Sequence, residues 1–227
     1  MNTHHTRLRS ILTGLMLSIL TAQDPFVIDT SLSSSLPQSI ANSIEIADVD
    51  NDGYNDIIMS GYDSTRFGLF IDIIKVNSQG ALTSGFSTNF ITYPDTIAEF
   101  SGGLGNLDLS DVNLDGSIDI YLNGSARSEL LMNSSSGYFS ESNWLQSMFV
   151  IHSNGKWGDV NMDGKPDLFL MGVKEPADNI LNELYLNTGA YLDEDPTTIF
   201  PALFTGSSAW GDYDNDGDPD LIIGGQT

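Results

Sequence analysis

A nine-residue pattern, Asp-x-Asp/Asn-x-Asp-Gly-x-x-Asp, recurs through this chain and constrains its fold more than any other feature. Its copies occupy residues 48–56, 111–119, 159–167 and 212–220. Oxygen-bearing side chains fall at positions 1, 3, 5 and 9 of every copy, with glycine at position 6. The first copy offers Asp48, Asp50, Asp52 and Asp56, and the second Asp111, Asn113, Asp115 and Asp119. The third offers Asp159, Asn161, Asp163 and Asp167, and the fourth Asp212, Asp214, Asp216 and Asp220. Calcium takes six to eight oxygen ligands, and alternate Asp and Asn side chains around a sharp glycine turn can aim their oxygens into one cage. Each loop is therefore a candidate site for one calcium ion. Asp, Asn and Gly also build turns without metal, but a turn alone does not call for the acid that every copy carries at position 9.

The flanks decide which kind of loop this is. An EF-hand needs two helices and a bidentate Glu at position 12, where this chain has Met59, Leu122, Leu170 and Ile223. Instead the final Asp leads into a short apolar run, Ile57–Met59, Ile120–Leu122, Leu168–Leu170 or Leu221–Ile223. The runs end near Gly61, Gly124, Gly172 and Gly225. Runs this short and apolar, closed by glycine, predict buried strands rather than helices. Ahead of each loop stand a large and then a small residue, Ile46-Ala47, Leu109-Ser110, Trp157-Gly158 and Trp210-Gly211. That pair predicts a strand that packs its apolar residue and then passes close to another backbone. Apolar segments ending in Asn-to-Gly turns (Asn77 to Gly80, Asn133 to Gly137, Asn187 to Gly189) follow the first three loops, as in antiparallel reversals. Each repeat thus holds about four short antiparallel strands, the content of one propeller blade. The spacing of roughly 50 residues is that of a repeat array, so the fold class is all-β.

At these residues the chain resembles the FG-GAP/VCBS repeats, the blades of the integrin-alpha-type β-propeller, from about Ile44 to Gly225. Of the signatures that named that family, Phe67-Gly68 is one candidate and no Gly-Ala-Pro occurs. The resemblance implies that each loop joins the first two strands of a blade and binds calcium. It adds as ligands the main-chain carbonyls at position 7, those of Tyr54, Ser117, Lys165 and Asp218. The family usually has seven blades, and the residues after 22 hold about four repeats. The chain is accordingly expected to be the N-terminal portion of a larger, seven-bladed propeller; a compact four-unit array or closure by partner chains is the other expectation.

Composition bears on compartment and partners. The formal charge is −23, from 31 acidic and 8 basic residues, and about half of those acids lie in the four loops. So acidic a chain lacks the basic footprint that nucleic acid or an anionic membrane requires. Residues 1–22 read as a signal peptide: Arg7 and Arg9 precede a mostly apolar stretch, Ile11 to Ala22, too short to span a bilayer. Residues 23–227 would then be the blades, secreted or at the cell surface, where calcium is abundant. With no cysteine, disulfides are excluded and metal would do the stapling.

Catalytic candidates are few. His152 is the only histidine outside the leader, and its neighbours suggest a strand surface. Trp144, outside the repeat register, is the better candidate to stack on an exposed ligand, with core packing as its simpler reading. Asp63, Glu129 and Glu183 read as solvated strand or turn residues. The expected function is a non-enzymatic, extracellular calcium-binding scaffold for adhesion or recognition of a protein or glycan. The alternative is a domain of a secreted polysaccharide- or lipid-acting enzyme.

Overall fold

The apolar run behind each acidic loop forms the second strand of a sheet. The structure is a computed structural model that describes residues 8–9, 26–27, 40–63, 68–78, 81–92, 106–123, 128–135, 137–146, 150–174 and 179–227. It divides into residues 1–40 and residues 41–227. In the first unit β1 (Leu8–Arg9) and β2 (Phe26–Val27) pair in parallel. Apart from Leu8–Arg9, the leader reading of residues 1–22 falls outside the described residues, as does Phe67 of the Phe-Gly candidate.

The first four-stranded sheet comprises β3 (Ile40–Ala47), β4 (Asp56–Asp63), β5 (Gly68–Val76) and β6 (Leu82–Thr92). The second comprises β7 (Asn106–Ser110), β8 (Asp119–Asn123), β9 (Glu129–Asn133) and β10 (Phe139–Glu141). The third comprises β11 (Val150–Gly158), β12 (Asp167–Lys174), β13 (Asn179–Asn187) and β14 (Leu192–Glu194). A two-stranded sheet follows, β15 (Phe204–Gly211) with β16 (Asp220–Gln226). From β4 on, neighbouring strands within each sheet pair antiparallel, and each four-stranded sheet follows chain order as a blade-like meander. Among the described residues there is no helix, hence none long and apolar enough to cross a membrane, and the sheets do not close into a ring.

Cores form between successive sheets because the second strands are apolar on both faces. In β8, Ile120 and Leu122 join Val49, Ile58 and Ile71 of the first repeat, while Tyr121 points the other way to Leu168, Leu170 and Tyr185. In β12, Phe169 and Met171 face Trp210, Leu221 and Ile223 of the last sheet. This is the two-residue period of a strand, with both sets of side chains covered. Each fully buried residue of this size contributes roughly 1.5–3 kcal/mol.

The large-then-small pairs are explained differently from the sequence expectation. Ile46 is 65% exposed, whereas Trp157 packs edge-on against Tyr121, 5.8 Å between ring centroids. At Gly158 the small residue makes room for a ring rather than a backbone, while at Gly211 open space surrounds the place a Cβ would take. A Cβ on Gly158 would lie 2.6 Å from the Trp210 indole. Glu129 corrects another expectation: only 5% exposed, it lies in β9, whose residues are nearly all buried. Glu183 is half-buried and accepts the Tyr185 hydroxyl at 2.5 Å. Trp144 packs partly buried against the core between the second and third sheets, the simpler of its two readings.

Candidate metal centres

All four loops fold alike because their carboxylates hold the backbone. The position-1 carboxylate takes two amides: Asp111 accepts from the N–H groups of Asp115 at 3.0 Å and Gly116 at 2.8 Å. Asp48, Asp159 and Asp212 repeat these bonds. The side-chain oxygen at position 3 (Asp50, Asn113, Asn161 or Asp214) accepts from the position-5 N–H. The position-5 carboxylate (Asp52, Asp115, Asp163 or Asp216) accepts from the N–H at position 7, namely Tyr54, Ser117, Lys165 or Asp218. The turn needs two left-handed residues. Gly53, Gly116, Gly164 and Gly217 have φ of 87°, 87°, 84° and 98°. Nothing lies within 4 Å of where their Cβ would sit, so conformation rather than space demands glycine. Position 4 is also left-handed, in Asn51, Leu114, Met162 and Asn215, at φ of 59°, 57°, 55° and 61°.

Position 9 is a strut. Asp56, Asp119 and Asp167 are fully buried. One oxygen of each accepts the N–H at position 2 (Val49, Val112 or Val160), at 3.3, 3.0 and 3.0 Å. The other accepts an N–H from the third strand: Val76 at 3.0 Å, Asn133 at 2.8 Å or Asn187 at 2.7 Å. Asp220 braces Tyr213 alone, at 2.9 Å. Burial drives the Asp119 carboxyl up to about 6, against the lowering effect of those two amides, and nearby Asp115 and Asp111 push the same way. Burial also raises Asp56 and Asp167.

The donor set fits a hard divalent cation. Every side-chain donor at positions 1, 3, 5 and 9 is an oxygen, the ligand type that calcium prefers to soft metals. A carboxylate oxygen has two lone-pair directions, so one amide bond leaves it a second. In the first loop, ligand oxygens of Asp48, Asp50 and Asp56 lie within 4.8 Å of one another, and in the fourth those of Asp212, Asp214 and Asp216. In the second and third loops the neutral Asn113 and Asn161 replace one acid. Lysines compensate part of this charge: Lys75 Nζ donates to Asp50 at 2.7 Å and Lys165 to Asp163. The Asp163 hydrogen bond with Lys165 holds its carboxyl below the usual range, and the Asp218 carboxyl rises beside Asp216. An open cleft of about 410 Å³ lies between the second and third loops, walled by Leu109, Asp111, Leu114, Trp157, Asp159 and Lys165.

Lys75, Asn133 and Asn187 belong to this machinery and sequence reasoning missed them. The two asparagines were legible only as turn residues. Their side chains do more: Asn133 Nδ2 donates to the Val49 carbonyl of the preceding loop at 2.7 Å and to Ile118 of its own at 3.0 Å. Asn187 Nδ2 donates likewise to Val112 at 2.8 Å and Pro166 at 3.1 Å. Asn77 is not their counterpart. Its N–H pairs with the Ala81 carbonyl as that of Ser134 does with Tyr138, so the turn register is displaced by one and Val76 takes the equivalent place.

No curated protein matches the chain. Among solved structures, a lectin from Agrocybe aegerita, described as recognising non-reducing terminal N-acetylglucosamine, is similar at 19% identity and a TM-score of 0.45. The match covers 78% of this chain and 45% of that one, so the chain spans less than half the lectin's length. The FG-GAP-like repeat family matches residues 111–170 and 159–223, running from the second loop through the third sheet to the fourth loop and the start of β16. Residues 111–223 are FG-GAP-like repeats, and the chain is an FG-GAP-type repeat protein.

Proposed function

We propose that this protein is an extracellular, non-enzymatic, calcium-stabilised scaffold that presents one face of its blade-like sheets to a protein or glycan. The observation that carries the reading is that four loops of one sequence pattern adopt one hydrogen-bonded turn, each surrounding its position-1 carboxylate with further oxygen donors. One calcium ion per loop, up to four, would offset the carboxylate crowding that a −23 chain concentrates there. Strand-one loops and strand-three turns lie at the same end of each meander, which favours that end as the recognition face. Beside the acids it exposes Tyr54, Tyr138, Tyr191 and Tyr213, the last 76% exposed. Flat aromatic rings beside polar groups suit sugars and protein side chains alike. Secretion follows from the leader reading of residues 1–22 and from a need for abundant calcium.

The test is thermal unfolding of the chain in calcium, in magnesium and in chelator. A site filled at one hundred times its dissociation constant stabilises the folded state by about 2.7 kcal/mol, so several sites should raise the melting temperature by many degrees with calcium alone. A melt indifferent to calcium would sink the reading.

A further inference from the structure

The hydrogen bonds of consecutive loops join into one line. Asp56 holds the Val49 N–H, and the Val49 carbonyl takes Asn133 Nδ2, whose backbone N–H donates to Asp119. Asp119 holds the Val112 N–H, and the Val112 carbonyl takes Asn187 Nδ2, whose N–H donates to Asp167. Each step alternates a candidate metal ligand with a position-2 peptide and a latch asparagine. Both asparagines are nearly fully buried, 3% and 2% exposed, and all their polar groups are used. Their side-chain oxygens accept from Gly137 at 3.2 Å and Gly189 at 2.8 Å. Neither can shift for one loop without releasing a buried partner in the other.

From this we infer that Asn133 and Asn187 couple metal binding in adjacent loops, the first ion tightening the second. The inference rests on the calcium reading of the loops. An ion that fixes Asp119 fixes the Asn133 peptide it holds, and through the side-chain amide the Val49 peptide of the preceding loop. The ordering cost of that loop is then partly met before its own ion arrives, which is positive cooperativity without a change of shape. The first and third loops share no latch, so they bind independently.

Calcium titrations of three full-length chains, each with two intact loops, test this. The adjacent pairs are loops one and two (D159A/D212A) and loops two and three (D48A/D212A). The control is loops one and three (D111A/D212A). Coupling free energies between linked sites correspond to roughly 5-fold or more in affinity. That tightening is expected in both adjacent pairs and not in the control. Asn133→Leu should abolish it for loops one and two only, and Asn187→Leu for loops two and three only. Independent binding in the adjacent pairs would overturn the inference while leaving the calcium reading intact. So would cooperativity that survives both substitutions, or that either removes from both pairs alike. No calcium binding by the unmodified chain would overturn both. Should the leucine variants not fold, amide exchange of D48A replaces them. Calcium in the second loop should slow exchange at Val49, and unchanged exchange there would sink the coupling.

Discussion

At the scale of single residues, the position-9 acids of the first three loops, Asp56, Asp119 and Asp167, are the least like surface ligands, and burial works against keeping them ionised. The folded pKa of Asp119 lies above the ordinary carboxylate value, so the folded state holds a proton that the unfolded chain has already lost. Its contribution must therefore fall as pH rises from about 4 through about 6, the reverse of a salt-bridged acid. In chelator, the melting temperature is expected to decline over that window, with Asp56 and Asp167 acting in the same direction. Saturating calcium should flatten or reverse the slope, because the cation competes with the proton. Melts buffered between pH 4.5 and 7, with and without calcium, measure this. Leu114 and Met162 raise a separate issue, being left-handed and exposed at once. Asn, which loops one and four carry at that position, tolerates the conformation better. Leu114→Asn should thus stabilise by up to about 1 kcal/mol, read by urea denaturation.

At the scale of the element, the first strands of neighbouring repeats are stitched by side chains rather than by a ladder. Asp108 of β7 accepts both the Trp157 N–H at 2.8 Å and Lys156 Nζ at 2.7 Å from β11. Asn154 of β11 accepts the N–H and hydroxyl of Ser208 in β15, at 3.0 and 2.7 Å. Asp108→Ala strands a half-buried amide and an ammonium, and should cost about 1–3 kcal/mol, measured as a lowered urea midpoint at unchanged slope. These links also mark where sequence reading stopped. The first three second strands were legible because uninterrupted apolar runs have one simple explanation, burial on both faces; the expectation fails at β16, where Ile222 is 63% exposed. The loops were legible because their spacing repeats. Asp108 carries no such signature, since its partners lie 48 and 49 positions away. The exposed Ile46 misled because it shares a register position with Leu109, Trp157 and Trp210, which all pack against a core. Asn77 misled because Asn beside a turn explains itself locally, whereas the latch at Asn133 answers to a loop 84 positions earlier.

For the whole molecule, the four loops are not equal supports. Asp56, Asp119 and Asp167 each tie a loop to a third strand, while Asp220 braces one exposed peptide. Replacing the first ligand in any loop (Asp48→Ala, Asp111→Ala, Asp159→Ala or Asp212→Ala) should lower calcium stoichiometry by one. The melting temperature should fall further for Asp111→Ala than for Asp212→Ala, because the second loop is built into two cores. Equilibrium calcium counting and calorimetry on the same samples check both statements. The latch asparagines carry a further consequence for biosynthesis. A ribosome delivers the chain amino end first at about 5–20 residues per second, and each latch closes on a loop 84 or 75 residues behind it. The first and second loops thus wait several seconds, carboxylates gathered but position-2 carbonyls unclaimed, until the following repeat has emerged to lock each.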